Sequence, residues 1–178
     1  MAIWLEKEYY INKYIHLRKF EKCIYKERRI FMVEKMERIY SALDVAKYVI
    51  NKCTTENNPI SNLQLQKILY FLQRKYLVDN GRVLFNDEIQ AWQFGPVVPE
   101  VYYQYCGFGS MAITMDYLIV MDADDSSQIG AIVEEKRCKN PWDLVEETHS
   151  EGKAWAAIYR NGSGNHMTIP VELIRTRG

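Results

Sequence analysis

His149, within W-D-L-V-E-E-T-H-S-E-G-K-A-W (142–155), is the side chain best placed for acid–base chemistry, with Glu146 or Glu147 near enough in sequence to orient an imidazole base. A histidine at the end of a helix serves equally well as a structural group, complementing the helix dipole and bonding the last carbonyls. No nucleophile motif accompanies it, so the criteria for an active site are not met. The histidines at 16, 149 and 166 lack metal-ligand spacing, and no H-E-x-x-H occurs. Asp122, Asp124 and Asp125 are not followed by the Gly and Glu of a calcium loop. The run Asn161-Gly-Ser-Gly-Asn165 lacks the lysine of a phosphate loop and follows a predicted helix, so it reads as a connection. The expectation is a chain that is not an enzyme and that needs no metal or cofactor.

The other group with chemical potential is aromatic. Trp92, Phe94, Trp142 and Trp155 are expected, as a group, to lie in the core. Any that stood exposed would be candidate anchors of a protein interface. Gln66 and Lys67 fall on the polar flank of a patterned helix, as solvated residues or as part of a binding rim.

The elements that position these groups follow from caps, periodicity and breakers. Ser41-Ala-Leu-Asp44 has the side chains of a capping box and opens a helix whose apolar face is Leu43, Ala46, Ile50 and Cys53. Asn57-Asn58-Pro59 ends it. Ser61-Asn-Leu-Gln64 is a second, complete capping signature, followed by Leu65, Ile68, Leu69, Leu72 and Tyr76 at helical spacing. Asp79-Asn80-Gly81 closes that helix. Val83–Phe85 and Ile89–Phe94 read as two short strands, and Gly95-Pro96 breaks the segment. Pro99 opens a helix as its first residue and Gly107 ends it. Met111–Met121 is apolar enough for a strand, and Asp122–Ser127 reads as a polar loop. Helices are expected over Ile129–Arg137, from Asn140-Pro141 with Trp142, Leu144, Val145 and Thr148 inward, and over Lys153–Tyr159. Thr168–Ile174 forms a final strand or the start of a helix.

Composition bounds the class. With 178 residues, 48% of them hydrophobic, the chain can bury one core. Lys/Arg and Asp/Glu balance at 23 each, but unevenly. Residues 1–38 hold 10 basic against 6 acidic side chains, and the remainder 13 against 17. Basic and aromatic residues interleave over 3–35, which predicts a helical N-terminal arm. That arm reads as a solvated amphipathic helix, as sequence upstream of a true start at Met32 or Met36, or as a nucleic-acid-binding or partner-binding element. Cys23, Cys53, Cys106 and Cys138 form no C-x-x-C pair, which points to reduced thiols in a cytoplasm. No apolar run reaches the roughly 20 residues of a membrane helix.

Four blocks in order, A-L-D-V-A-K-Y-V-I, L-Q-L-Q-K-I-L-Y-F-L-Q, A-W-Q-F-G-P-V-V-P-E-V-Y and L-V-E-E-T-H-S-E-G-K-A-W, resemble the Panacea domain of the SocA-like antitoxin family, which includes phage-associated GepA-type proteins. The resemblance covers about residues 40–160 and is most specific in the G-P-V-V-P block. It implies a mainly α, compact helical domain over 39–178 with a small β element near 83–94, preceded by the arm at 1–38. It further implies an antitoxin of a bacterial or prophage toxin–antitoxin system that binds its cognate toxin protein directly, at least one kind acting as an adaptor to a AAA+ protease. The positions that match the pattern, and so are candidates for partner binding, are Gln66, Lys67, Tyr70, Trp92, Gly95, Pro96, Val97, Tyr102, Thr148, His149 and Trp155. No catalytic residue carries over. The chain departs from the pattern at Gly152-Lys153-Ala154, where a proline often precedes the tryptophan, and at Arg175–Gly178, which lacks an aromatic helix end.

Overall fold

A computed structural model describes residues 39–178, and the expected arm at 1–38 lies outside the described residues. The described residues form seven α-helices: α1 (Ala42–Thr55), α2 (Asn62–Asp79), α3 (Pro99–Tyr105), α4 (Ala123–Arg137), α5 (Pro141–His149), α6 (Ala154–Tyr159) and α7 (Val171–Arg177). Short strands β1 (Gln90–Trp92), β2 (Gly95–Val97) and β3 (Met167–Thr168) make one antiparallel sheet in the order β2-β1-β3. The protein is thus mainly α with a small β element.

Caps set the two leading helices. Ser41 Oγ accepts from the Asp44 amide at 3.0 Å, and the Ala42 amide in the first turn donates to Asp87 at 2.9 Å. The box at α2 is complete: the Gln64 amide donates to Ser61 Oγ, and the Ser61 amide donates to Gln64 Oε1 at 3.0 Å. Gly81, at φ +66°, supplies the left-handed turn that ends α2.

Helix α2 is the hub, packed against α1, α4, α5, α7 and β2. Its stripe of Leu65, Ile68, Leu69, Leu72 and Tyr76 is wholly buried. Burial continues round the helix to Asn62, Gln66, Lys67 and Gln73, so the expectation of a polar flank on Gln66 and Lys67 is corrected: both are inside. A helix enclosed on all sides must satisfy any polar side chain internally. Gln73 does so by accepting from the Leu84 and Phe85 amides and donating to the Phe85 carbonyl at 2.9 Å. Val83–Phe85, expected as a strand, is therefore held by one side-chain amide and a single bridge from Phe85 to Tyr40.

The same device replaces the strand expected in Met111–Met121. Asn51 of α1 accepts from the Tyr117 amide and donates to the Tyr117 carbonyl, and Leu118 and Val120 project into solvent. Asp122–Ser127, expected as a loop, is the first turn of α4. Asp122 caps it by accepting from the Asp124 amide at 3.0 Å, and Asp124 and Asp125 favour the helix N-terminus. Among the described residues no helix is long and apolar enough to cross a membrane.

Candidate functional site

Strands β1 and β2 form a hairpin in which Ala91 pairs with Pro96 and Trp92 with Gly95, leaving Gln93 and Phe94 at the tip. Gly95 takes φ +103°, a conformation closed to side chains. It also lies so close to α2 that a Cβ there would stand 2.7 Å from Lys67 Nζ and 2.9 Å from Thr148 Oγ1. The missing side chain lets Lys67 cross under the hairpin and donate to the Pro96 carbonyl at 2.9 Å. Gln66 accepts from the Val98 amide at 2.9 Å and donates to Asn62 at 3.1 Å. Two neighbouring polar residues of α2 thus clamp the main chain of the G-P-V-V-P block.

Lys67 is 0% exposed, and burial pulls its ammonium down to about 7. His149, at the end of α5, lies flat on Trp155 with ring centroids 3.6 Å apart. Its Nε2 is buried and unpartnered. Burial first, and the nearby Lys67 charge second, lower its pKa to about 4. Neither glutamate orients it as the sequence reading allowed: Glu147 pairs with Lys136 and Lys139. Thr148 Oγ1 donates to the Val145 carbonyl at 2.8 Å. Trp155 donates its indole N–H to the Trp92 carbonyl at 2.8 Å, tying α6 to the hairpin. Tyr70 is buried, its hydroxyl has no partner, and burial raises its pKa to about 12.

A half-buried histidine held neutral has a thermodynamic signature. The unfolded chain takes up a proton at His149 below about pH 6.5, whereas the folded chain resists until about 4. This residue therefore favours folding less and less as pH falls across that window. His149→Phe is expected to flatten the loss of stability between pH 6.5 and 4, measured by urea denaturation at a series of pH values; an unchanged slope would place the acid sensitivity elsewhere.

In front of this buried layer lies a cleft of about 540 Å³. Of the eleven sequence-selected positions it gathers Gln66, Lys67, Trp92, Val97 and Tyr102 into its lining. Gly95, Pro96, Tyr70, Thr148, His149 and Trp155 sit outside the lining and act as its support. The mouth is framed by residues the matching pattern did not select. Phe94 and Trp142 are 49% and 59% exposed and meet edge to face at 5.6 Å. Their exposure corrects the expectation that both belong to the core. Phe94 stands outside because a two-residue hairpin tip has nothing packed over it, and Trp142 because the second residue of α5 precedes the inward pair Leu144 and Val145. The helical pattern of α5 would have exposed Trp142 had the phase been set by Leu144, Val145 and Thr148 alone. Trp92 spans both layers, its ring 4.8 Å from Tyr102 and 4.4 Å from His166.

Such a surface, with exposed aromatics around a half-apolar cleft and a rigid polar clamp behind, suits recognition of another molecule more than bond breaking. Among the described residues no three His, Cys, Asp or Glu side chains gather as metal ligands.

The family model for the SocA-like antitoxin, Panacea domain, matches residues 65–156, which hold most of α2, the hairpin, most of the cleft lining and the His149–Trp155 stack. Antitoxin SocA of Caulobacter vibrioides (strain NA1000 / CB15N) is 34% identical, over 72% of this chain and 75% of that protein. No solved structure matches. Since the matched segment covers more than half the chain and the similar protein runs through most of its length, the chain belongs to the SocA-like antitoxin family, defined by the Panacea domain.

Proposed function

We propose that this protein is the antitoxin of a bacterial or prophage toxin–antitoxin pair, and that it neutralises its toxin in the cytoplasm by direct protein–protein binding at the aromatic cleft. The observation that carries the reading is the pair of exposed, mutually packed aromatics: Phe94, at the tip of a hairpin clamped by Gln66 and Lys67, and Trp142, at the start of α5. Large aromatics on a preorganised support lose little entropy on binding and are typical hot-spot residues. We read the role as binding without catalysis: the family is one of antitoxins, and His149 is committed to a stack. Sequestration is the mechanism we adopt. Delivery of the bound toxin to a AAA+ protease is the extension of it, and would add a second contact.

The test is a co-expression rescue. The adjacent open reading frame is expressed alone and with this protein, and surviving colonies are counted. Rescue is expected with the native chain and with His149→Gln. The double substitution Phe94→Ala/Trp142→Ala is expected to weaken the complex by about 2 kcal/mol or more, as for hot-spot truncation, with thermal stability nearly unchanged because both side chains are exposed. Normal affinity in the double variant would move the interface away from the cleft. Loss of rescue in the His149→Gln protein, with folding and affinity intact, would assign acid–base chemistry to His149. Toxin levels that fall on co-expression only when the protease is present would identify the adaptor route. Binding of nucleic acid through the arm at 1–38, the alternative of a phage-associated regulator, would show a steep salt dependence and vanish when the arm is deleted.

A further inference from the structure

The cleft offers two kinds of chemistry, and the aromatic frame accounts for one of them. Its lining holds no Asp, Glu or Arg, and its lysine, Lys67, is wholly buried beneath the hairpin with its ammonium on the Pro96 carbonyl. An occupant that brought a charge would desolvate it against apolar walls, with neither a carboxylate nor an exposed lysine or arginine to pair with, and that is costly. The indole N–H of Trp92 is already given to Gln90 at 3.0 Å, so its ring has apolar surface to offer. The second kind of chemistry is neutral and polar. Gln93, at the hairpin tip, and Asn165, before β3, line the cleft, are exposed, and make no side-chain hydrogen bond among the described residues. A carboxamide carries donor and acceptor together, the complement of a main-chain N–H and C=O. The fold uses this match twice within itself: Asn51 takes the N–H and C=O of Tyr117, and Gln73 takes the amides of Leu84 and Phe85 and the Phe85 carbonyl. Both times the main chain served lies outside a helix. A helix spends its N–H and C=O groups on its own ladder, so only extended chain can be matched in this way along its length.

Building on the antitoxin reading above, we propose that the cleft receives an extended, uncharged segment of the neutralised toxin, its main chain read by the carboxamides of Gln93 and Asn165 and its apolar side chains packed on Phe94, Trp142 and Trp92. The rings supply affinity and the carboxamides supply register. Extended chain pressed against aromatic rings loses water from its peptide groups, and a peptide group left without a partner opposes binding. Two unspent carboxamides beside the rings remove that cost. A helix in the same place would present its side chains and leave both carboxamides idle.

The experiment uses the full chain and the protein encoded by the adjacent gene, in titration calorimetry at high salt, where long-range charge effects are screened. Gln93→Leu and Asn165→Leu are each expected to weaken Kd about threefold to tenfold, the range for losing a neutral hydrogen bond. Gln93→Glu and Asn165→Asp keep the shape of the side chain but lose its N–H donors and bring a charge into the cleft. They are expected to weaken Kd further, on the order of tenfold to a hundredfold. Both positions are exposed and unbonded, so the variants keep the native circular dichroism. Amide hydrogen exchange on the toxin then locates the segment whose protection is lost with Phe94→Ala/Trp142→Ala; it is expected to be extended and free of Asp, Glu, Lys and Arg. Variants at Gln93 and Asn165 that bind as the native chain does, while the aromatic double variant loses affinity, would overturn this inference and leave the antitoxin reading in place. A helical or charged toxin segment at the cleft would do the same. No binding by the native chain would overturn both.

Discussion

Replacing Asp125 by alanine is expected to lower the unfolding free energy by about 3–5 kcal/mol, the range for removing one partner of a buried ion pair. Asp125 is 1% exposed in the first turn of α4, and three groups from elsewhere in the chain converge on it. Arg82 Nη2 donates at 2.6 Å, the Tyr76 hydroxyl at 3.0 Å and the Tyr40 hydroxyl at 2.9 Å. Arg82 also stacks over the Tyr76 ring, 4.9 Å from its centroid. Removing the carboxylate takes an ion-pair partner from a largely buried guanidinium and a charged acceptor from two phenols, leaving Tyr76 the weaker bond to the Asp125 carbonyl at 3.3 Å. Burial first, and Asp125 second, raise the pKa of the Tyr76 hydroxyl, so it remains a donor across the whole useful pH range. Urea unfolding followed by circular dichroism reads the effect. Asp125→Asn should lose less, because an amide oxygen still accepts. The double change Asp125→Leu/Arg82→Met should be less harmful than the sum of its singles, since the two partners of one buried pair are removed together. Equal losses for Ala and Asn would show that the charge is what matters.

Gly95→Ala is expected to cost about 3 kcal/mol or more, combining strain at a positive φ with displacement of a buried charge. The new Cβ at φ +103° would lie 2.7 Å from Lys67 Nζ, 2.8 Å from Lys67 Cε and 2.9 Å from Thr148 Oγ1. Lys67 has no exposed route to retreat along, and Thr148 is held by its bond to the Val145 carbonyl. The hairpin must therefore lift from α2, and the Pro96 carbonyl loses its donor. Toxin binding should fall along with stability, since the tip that carries Phe94 moves with the strand. Gly95→Ala/Lys67→Ala should recover part of the loss, because the truncated lysine leaves room for the methyl group. A double variant no more stable than the sum of its singles would assign the cost to backbone strain alone. Melting temperature and affinity, measured on the same samples, separate the two contributions.

The sequence by itself determined the features that depend on neighbours along the chain. Ser41 and Ser61 start helices because a hydroxyl three residues before an amide caps it wherever the chain goes. The stripe from Leu65 to Tyr76 marks a buried helix through its spacing, and Pro99 and Pro141 mark first turns through their missing N–H. The four ordered blocks also identified the family. Tertiary structure decided what distant residues do for each other. Gln73 satisfies the main chain of Leu84 and Phe85, and Asn51 that of Tyr117, so two apolar stretches that read as strands need no strand partner. Asp122–Ser127 reads as a loop because aspartates and serines cap helices as readily as they break them; the burial of Asp125 against Arg82 and Tyr76 decides for helix. Lys67 looks like a surface residue by type, and only Gly95, 28 positions later and lacking a side chain, lets the Pro96 carbonyl meet it in the core. Exposure of Phe94 and Trp142 has the same origin. Hydrophobicity says that such side chains leave water when something covers them, and the fold leaves the tip of one hairpin and the start of one helix uncovered.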